Sequence, residues 1–181
     1  MADFDGAGVL VTGGSRGIGR ATCELFAARG ARVVVHYASN ETAAREVVDS
    51  LAGEGHACVR ADLGAGDARG LAEAAIGALG RIDVLVNNAG VYEPHPVLGT
   101  SADEWAASWS RTLATNLVGP ADLIHAVAPH MVEAGGGRIV NVTSRGAFRG
   151  EPDHAAYGAS KAALISLSQS MAKALAPHHV Y

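Results

Sequence analysis

The sequence predicts an α/β fold in which a doubly wound, Rossmann-like parallel sheet is covered by helices on both faces. Two observations support it. Short apolar runs alternate with longer segments of helical periodicity along the chain. The first apolar run also leads through a glycine-rich turn into the first helix. With 181 residues, 49% hydrophobic and 18% charged, and without a repeat or linker, residues 1–181 are predicted to form one dinucleotide-binding domain.

The predicted strands are mostly continuous apolar runs, as expected for strands buried on both faces. They are Gly8–Thr12, Arg32–His36, Ala57–Ala61, Ile82–Asn87 and Gly137–Thr143. The intervening helices are predicted at Gly17–Arg29, Glu41–Ala52, Ala68–Leu79, Ala102–Glu133 and Ala155–Ala176. Right-handed crossovers then predict the strand order 3-2-1-4-5, with a ligand crevice between strands 1 and 4, where the order reverses.

The first strand and helix are joined by a turn with the glycine spacing G-x-x-x-G-x-G. Glycines allow a tight turn and a close approach of the backbone to a pyrophosphate, which the positive end of the helix attracts. An ordinary glycine-rich turn is the alternative. The turn residues predicted to bind a cofactor are Gly13, Ser15, Arg16, Gly17, Ile18 and Gly19.

The long fourth helix contains a proline and ends in a run of glycines. Pro120 has no N–H, and its ring crowds the carbonyl of Asn116, four residues back, so a local kink is predicted there. A helix break without function is the alternative. The glycines at positions 135–137 are interpreted as the helix stop.

Three residues near the C-terminus indicate acid–base chemistry. Tyr157 and Lys161 are four residues apart, so they share one face of the last helix. A lysine charge about 4 Å from the phenol, at an effective dielectric of ~20, favours the phenolate by roughly 4 kcal/mol. Ser144, at the end of the fifth strand, can hold a substrate oxygen beside the phenol. Taken alone, tyrosine-x-x-x-lysine also arises by chance on amphipathic helices.

Several separated motifs together resemble the short-chain dehydrogenase/reductase family, including its members that act as NADP-dependent 3-oxoacyl-carrier-protein reductases. The resemblance extends from about Val9 to Pro177. The motifs are Thr12-Gly13-x-x-x-Gly17-Ile18-Gly19, Asn87-Asn88-Ala89-Gly90, Asn116, Ser144 and Tyr157-x-x-x-Lys161. This resemblance implies an oxidoreductase that transfers a hydride between NADP(H) and a carbonyl or secondary alcohol.

The resemblance also implies the residue roles. Tyr157 would protonate the developing alkoxide, Lys161 would assist it and hold the nicotinamide ribose, and Ser144 would position the carbonyl oxygen. The backbone carbonyl of Asn116 would bind a water that relays protons to Lys161. Further cofactor contacts are implied at Asp62, Leu63, Asn88, Ala89 and Gly90, for which plain turn or loop positions are the alternative.

Cofactor choice depends on the end of the second strand, where NAD-selective relatives place an acidic residue. Residues 35–40 contain no carboxylate, and Arg16 adds a positive charge able to grip a 2′-phosphate. Ser39 and Asn40 can add neutral donors. NADPH is therefore predicted to be favoured over NADH, although a solvated Arg16 is the alternative.

Composition argues against other classes of protein. A net charge of −4 without a basic cluster argues against a nucleic-acid partner, and no apolar run reaches membrane-spanning length. The eight histidines lack ligand spacing, so no metal site is predicted. Cys23 and Cys58 are predicted to be free thiols, which suits a cytoplasmic protein.

Members of the family continue past Pro177 into a sixth strand, a substrate-covering loop and a seventh strand, so this chain is expected to be truncated. The resemblance further implies a homodimer or homotetramer formed through helices 102–133 and 155–176. Two other functions stay open. A non-catalytic cofactor-binding or scaffold protein is one, and a sugar-nucleotide epimerase or dehydratase, usually with T-G-x-x-G-x-x-G, is the other.

Overall fold

A computed structural model describes residues 3–181, in which five parallel strands form one sheet. The strands are β1 (Gly8–Val11), β2 (Arg32–Tyr37), β3 (Ala57–Arg60), β4 (Val84–Asn87) and β5 (Arg138–Asn141). Their order is β3-β2-β1-β4-β5, with every neighbouring pair parallel. The predicted fold class and strand order are confirmed.

Helices cover both faces of this sheet. They are α1 (Gly17–Ala27), α2 (Glu41–Ser50), α3 (Ala68–Leu79), α4 (Ala102–Leu113), α5 (Gly119–Glu133), α6 (Gly146–Arg149) and α7 (Ala155–Leu175). Single 3₁₀ turns follow β3, at Leu63–Ala65, and α7, at Ala176–His178. The sequence did not predict α6, whose four residues are too short to show a helical period.

The predicted single helix Ala102–Glu133 is in fact two α-helices joined by a π-helical turn, Ala114–Val118. The N–H of Gly119 bonds to the carbonyl of Ala114, five residues back, which is the π pattern. Pro120 comes next and has no N–H to give, so the helix changes its hydrogen-bond pattern where the proline interrupts it. The expected irregularity is present, and its form is a π-turn.

The core consists of two layers, one on each face of the sheet. Because side chains alternate along a strand, Leu10 packs against α3 and α5, whereas Val9 and Val11 pack against α1 and α2. All four residues of β1 are buried, as expected for the central strand. Cys23 and Cys58 are free thiols, and burial raises the pKa of Cys23 to about 12.

The segment after α7 returns to the outer edge of β5. Val180 and Gly137 form a parallel β-bridge, in which the Gly137 N–H donates to the His179 carbonyl at 3.1 Å and the Tyr181 N–H to the Gly137 carbonyl at 3.1 Å. Next to it, the Ile139 N–H donates to the Tyr181 carbonyl at 2.7 Å. This contact lies where the resemblance places the start of a sixth strand. Within residues 3–181, no helix has the length and apolar character that crossing a membrane requires.

Candidate active site

The glycine-rich turn lies at the carboxyl end of β1, the centre of the sheet. Gly13 and Gly17 have φ values of +63° and +54°, in the left-handed region that favours glycine. A Cβ at Gly19 would overlap the Gly13 carbonyl oxygen, so glycine is required there for close packing. Arg16 is the N-cap residue of α1, and among the residues that the structure describes no side chain caps the first N–H groups of this helix. The first N–H groups of α1 are therefore available to an anion.

Two polar side chains hold this turn against the neighbouring strands. The Thr12 hydroxyl accepts hydrogen bonds from the N–H groups of Asn88, at 2.9 Å, and Ala89, at 3.0 Å. In return, the Asn88 amide donates to the carbonyls of Thr12, at 2.9 Å, and Gly13, at 3.2 Å. Asn88 therefore braces the turn with its side chain, while its position also lines the neighbouring cleft.

His36, at the end of β2, is a third brace that the sequence analysis did not single out. The ring is 2% exposed. Its Nδ1 accepts from the Gly13 N–H at 3.1 Å, and its Nε2 donates to the Ala61 carbonyl at 3.0 Å. Burial lowers the pKa of His36, although the bond to Ala61 opposes that effect. The neutral ring thus joins the glycine-rich turn to the end of β3.

Most of the predicted cofactor residues surround two adjoining clefts at this end of the sheet. The first, of about 680 Å³, is lined by Gly13, Ser15, Arg16, Gly17, Ile18, Ser39, Asn40, Asn88, Ala89 and Gly90. The second, of about 620 Å³, contains Asp62 and Leu63 and shares His36, Ala38, Ala89, Val91 and Thr115 with the first. Gly19 does not line either cleft; it is buried behind the turn, where it permits packing.

Lys161 is buried on the first half of α7, and its ammonium donates to the Val142 carbonyl at 2.8 Å. Its Nζ lies 5.8 Å from the centroid of the Tyr157 ring, which is partly buried. Burial lowers the pKa of Lys161. A Cβ at Gly90 would lie 3.8 Å from this Nζ, so the ammonium is next to a residue that lines the first cleft.

Ser144 lies in the loop after β5, and its Oγ accepts from the Gly146 N–H at 3.1 Å. This loop packs on the helix that carries Tyr157, since a Cβ at Gly158 would lie 3.2 Å from the Gly146 carbonyl. The loop after Ser144 therefore packs on the turn of α7 that carries Tyr157.

Asn116 is fully buried in the π-turn, and its side chain is occupied by the protein itself. Its Oδ1 accepts from the Val91 N–H at 2.8 Å, and its Nδ2 donates to the Val91 carbonyl at 3.0 Å and to the Ser160 hydroxyl at 3.2 Å. Ser160 in turn donates to the Tyr157 carbonyl at 2.7 Å. The side chain thus ties the loop after β4 to α7, which leaves the backbone carbonyl as the group with which Asn116 can act.

Aromatic residues that the sequence analysis missed stand beside Tyr157. The Tyr92 ring stacks on His154 at 3.7 Å and meets the Tyr157 ring edge-on at 4.7 Å. The Tyr92 hydroxyl donates to Glu151 at 3.4 Å, and the Arg149 Nε is 3.9 Å from the same carboxylate group. Tyr92 is 53% exposed, so it forms part of the open wall beside the phenol. The sequence feature that could have indicated Tyr92 is its position shortly after Gly90, a predicted cofactor residue.

A parallel sheet with a glycine-rich turn at its centre suits a dinucleotide, and the Lys161 ammonium lies beside Gly90 of the first cleft. The model of the family described as short chain dehydrogenase matches residues 7–181. The chain therefore belongs to the short-chain dehydrogenase family. Among residues 3–181, no group of histidine, cysteine and acidic side chains is placed to hold a metal ion.

The names of individual relatives differ in the substrate they give. The chain is 37% identical over 174 residues to a 3-oxoacyl-[acyl-carrier-protein] reductase of Synechocystis, covering 94% of this chain and 69% of the relative. It is 39% identical over 181 residues to a probable galactose dehydrogenase of Rhizobium meliloti, covering 98% and 69%. A metagenomic short-chain oxidoreductase solved with NADP superposes with a TM-score of 0.84 at 35% identity, covering 98% of this chain and 80% of that one.

Proposed function

We propose that this oxidoreductase uses NADP(H) to interconvert a carbonyl and a secondary alcohol on a small molecule, with Tyr157 as its acid–base group. The observation that carries the proposal is the position of the Lys161 ammonium. It is buried 5.8 Å from the Tyr157 ring centroid and beside Gly90, which lines the same cleft as the glycine-rich turn.

The cleft fits a dinucleotide in three respects. The first N–H groups of α1 suit a pyrophosphate, and Gly13 and Gly17, which line the cleft without a side chain, let that anion approach the backbone. Ala89 and Gly90 offer small surfaces toward the nicotinamide ribose, which Lys161 would hold through its hydroxyls. Asp62 and Leu63 would contact the adenine; the Asp62 Oδ1 already accepts from the N–H groups of Gly64 and Ala65, which fixes the loop.

The dinucleotide, when bound, supplies or accepts the hydride. Tyr157 gives its phenolic proton to the substrate oxygen during reduction and takes it back during oxidation. The ammonium of Lys161 stabilises the phenolate by its charge, and the Val142 carbonyl holds that ammonium in place. Ser144 holds the substrate oxygen through its hydroxyl. The Asn116 carbonyl positions a water through which Lys161 exchanges protons with solvent.

A preference for NADPH over NADH is supported by the charges around the first cleft. Arg16 is exposed at its edge, and Ser39 and Asn40 line the side formed by the end of β2. Asn40 uses its Oδ1 to cap α2 through the Ala43 N–H, so its amide hydrogens stay free to donate. Because residues 35–40 contain no carboxylate, nothing in this stretch repels a 2′-phosphate.

The relatives support a substrate class. Their names include a reductase of 3-oxoacyl groups and a probable dehydrogenase of galactose, so the interconversion of a carbonyl and a hydroxyl-bearing carbon is common to both. We further infer a homodimer or homotetramer through the helices at 102–133 and 155–176. A single domain over residues 1–181 and the cytoplasmic location remain predictions.

The test is turnover of a panel of ketones and hydroxylated compounds with NADPH and NADP, on the wild-type chain and on Tyr157→Phe. We expect Tyr157→Phe to lose most turnover while its NADPH affinity, measured by calorimetry, stays nearly unchanged. Tyr181→Phe, at the far edge of β5, is the matched control and should keep both. Turnover of Tyr157→Phe within about tenfold of wild type, some 1.4 kcal/mol of barrier, would contradict the assignment. Cofactor binding without any turnover would favour a non-catalytic role.

A further inference from the structure

His95 lies between the loop that follows β4 and the beginning of α7, and it is 2% exposed. Three hydrogen bonds fix it. Its backbone N–H donates to the Asp153 carbonyl at 2.7 Å, and its Nδ1 is 2.9 Å from the Glu93 carbonyl. Its Nε2 is 3.0 Å from the backbone nitrogen of Ala156. One imidazole therefore links two segments that are sixty residues apart in the sequence.

The two ring contacts define the protonation state of His95. The Glu93 carbonyl can only accept, so Nδ1 carries the hydrogen. The Ala156 N–H can only donate, so Nε2 offers its lone pair. A doubly protonated ring would place two N–H groups against each other, which would break the bond to Ala156. The contacts thus require the neutral ring with its hydrogen on Nδ1.

The bond to Ala156 takes the place of a missing helix cap. His154 is the N-cap residue of α7, and its side chain caps no N–H among the residues that the structure describes. Ala156 is the second residue of the helix, whose N–H a capping side chain normally satisfies. His95 supplies the acceptor for this N–H from another loop. The capped residue, Ala156, directly precedes Tyr157 in the sequence.

Aromatic rings hold His95 and its loop in this position. The rings of Trp105 and Trp109 on α4 meet the imidazole at 5.5 and 6.5 Å between centroids. On the other side, the Tyr92 ring stacks on His154 and touches Tyr157. The loop after β4 is thus attached to the start of α7 at two points, through the Ala156 N–H and through the rings of His154 and Tyr157.

We propose that His95 is a positioning residue for Tyr157. Its neutral imidazole caps α7 through the Ala156 N–H and so fixes the turn from which the phenol projects. The proposal rests on the acid–base role proposed for Tyr157. Displacement of a reacting group by about 1 Å can cost about a hundredfold in rate, so a single cap at this position has a kinetic consequence.

Two amide variants separate the two ring contacts. His95→Asn keeps a donor near the Nδ1 position but is too short to reach Ala156, whereas His95→Gln extends an amide oxygen to the Nε2 position. We expect kcat to fall at least tenfold in His95→Asn and to be within about threefold of wild type in His95→Gln, with NADPH affinity similar in all three. Equal kcat in the two variants would overturn the proposal.

Two further readouts do not depend on turnover. Nitrogen-15 NMR of the wild type should show a neutral His95 with its hydrogen on Nδ1, and Tyr157 ring resonances should shift in His95→Asn but not in His95→Gln. A protonated His95, or Tyr157 resonances unchanged in His95→Asn, would refute the positioning role. If the wild type shows no turnover, the proposed function fails, while these NMR outcomes still decide the role of His95. If His95→Asn does not fold, His95→Leu, which keeps most of the buried side-chain volume, replaces it: protection from exchange at the Ala156 amide should be lost in this variant, and unchanged protection overturns the proposal.

Discussion

Lys161 carries a charge into the protein interior with one hydrogen-bond acceptor, the Val142 carbonyl. Burial lowers its pKa from the ordinary value of 10.5. Between the lowered pKa and about 10.5, the unfolded chain therefore binds more protons than the folded one, so the free energy of unfolding rises with pH in that window. The residue that assists Tyr157 thus lowers the stability of the fold at neutral pH.

Replacement of this lysine should accordingly stabilise the fold and abolish turnover. In Lys161→Met, we expect the free energy of unfolding at neutral pH to rise by on the order of 1 kcal/mol, and its increase toward pH 10.5 to disappear. Denaturant titrations across this pH range measure both effects. Lys173→Met, exposed on the same helix, is the control and should change neither. An unchanged slope with pH in Lys161→Met would show that the lysine is solvated in the folded state.

Arg16 is the residue on which the proposed cofactor preference depends. A charged hydrogen bond contributes roughly 1.5–3 kcal/mol, so Arg16→Ala should reduce the ratio of NADPH to NADH affinity by about ten- to a hundredfold. The control is Arg20→Ala, one turn further along α1, where the guanidinium is paired with Glu24 at 2.7 Å. Calorimetric titration of both cofactors decides the matter, and equal ratios in wild type and Arg16→Ala would exclude the assigned role.

At the level of elements, the junction of α4 and α5 contains Pro120, which lowers the stability of the helix, and Asn116, whose carbonyl has a proposed function. Pro120 gives the helix no N–H, and the π-turn that precedes it contains Asn116. Pro120→Ala would restore a donor that the Asn116 carbonyl can accept, so that carbonyl would no longer hold a water. We expect kcat to fall by about tenfold or more, with the free energy of unfolding unchanged or higher.

Pro129 lies inside the same helix but is exposed on its far part, which makes Pro129→Ala the matched control. It should raise the free energy of unfolding by about 1–3 kcal/mol and leave kcat unchanged. Steady-state kinetics and denaturant unfolding on both variants give the comparison. Full activity in Pro120→Ala would contradict a role for the Asn116 carbonyl.

The elements also show which features can be predicted from a sequence. The five strands and their order follow from apolar runs and the handedness of crossovers, and α3 was predicted with its observed bounds. The turn between β1 and α1 could be predicted because the spacing of its glycines reflects the positive φ values that Gly13 and Gly17 adopt. In contrast, His36, His95 and Ser160 have partners that lie 23 to 61 positions away in the sequence, and no local pattern indicates such contacts.

For the whole molecule, the proposed oligomer makes α7 an interface. Ala162, Ser166 and Ser170 are small, exposed and spaced by four residues, so they form one face of this helix. Ala162→Arg should therefore release monomers at tens of micromolar protein in light scattering. Ala174→Arg, exposed on another face of α7, should keep the wild-type mass. A wild-type chain that is monomeric under these conditions would refute the assembly itself.

The position of β1 at the centre of the sheet has a consequence for how the protein is synthesised. The ribosome releases β1 first, yet only one of its neighbours, β2, follows closely; the other, β4, begins at Val84. Until then, the edge of β1 that will pair with β4 is an apolar strand edge open to solvent, which favours contact with other nascent chains. This edge of β1 is thus exposed to aggregation during the early part of translation, and completion of β4 covers it.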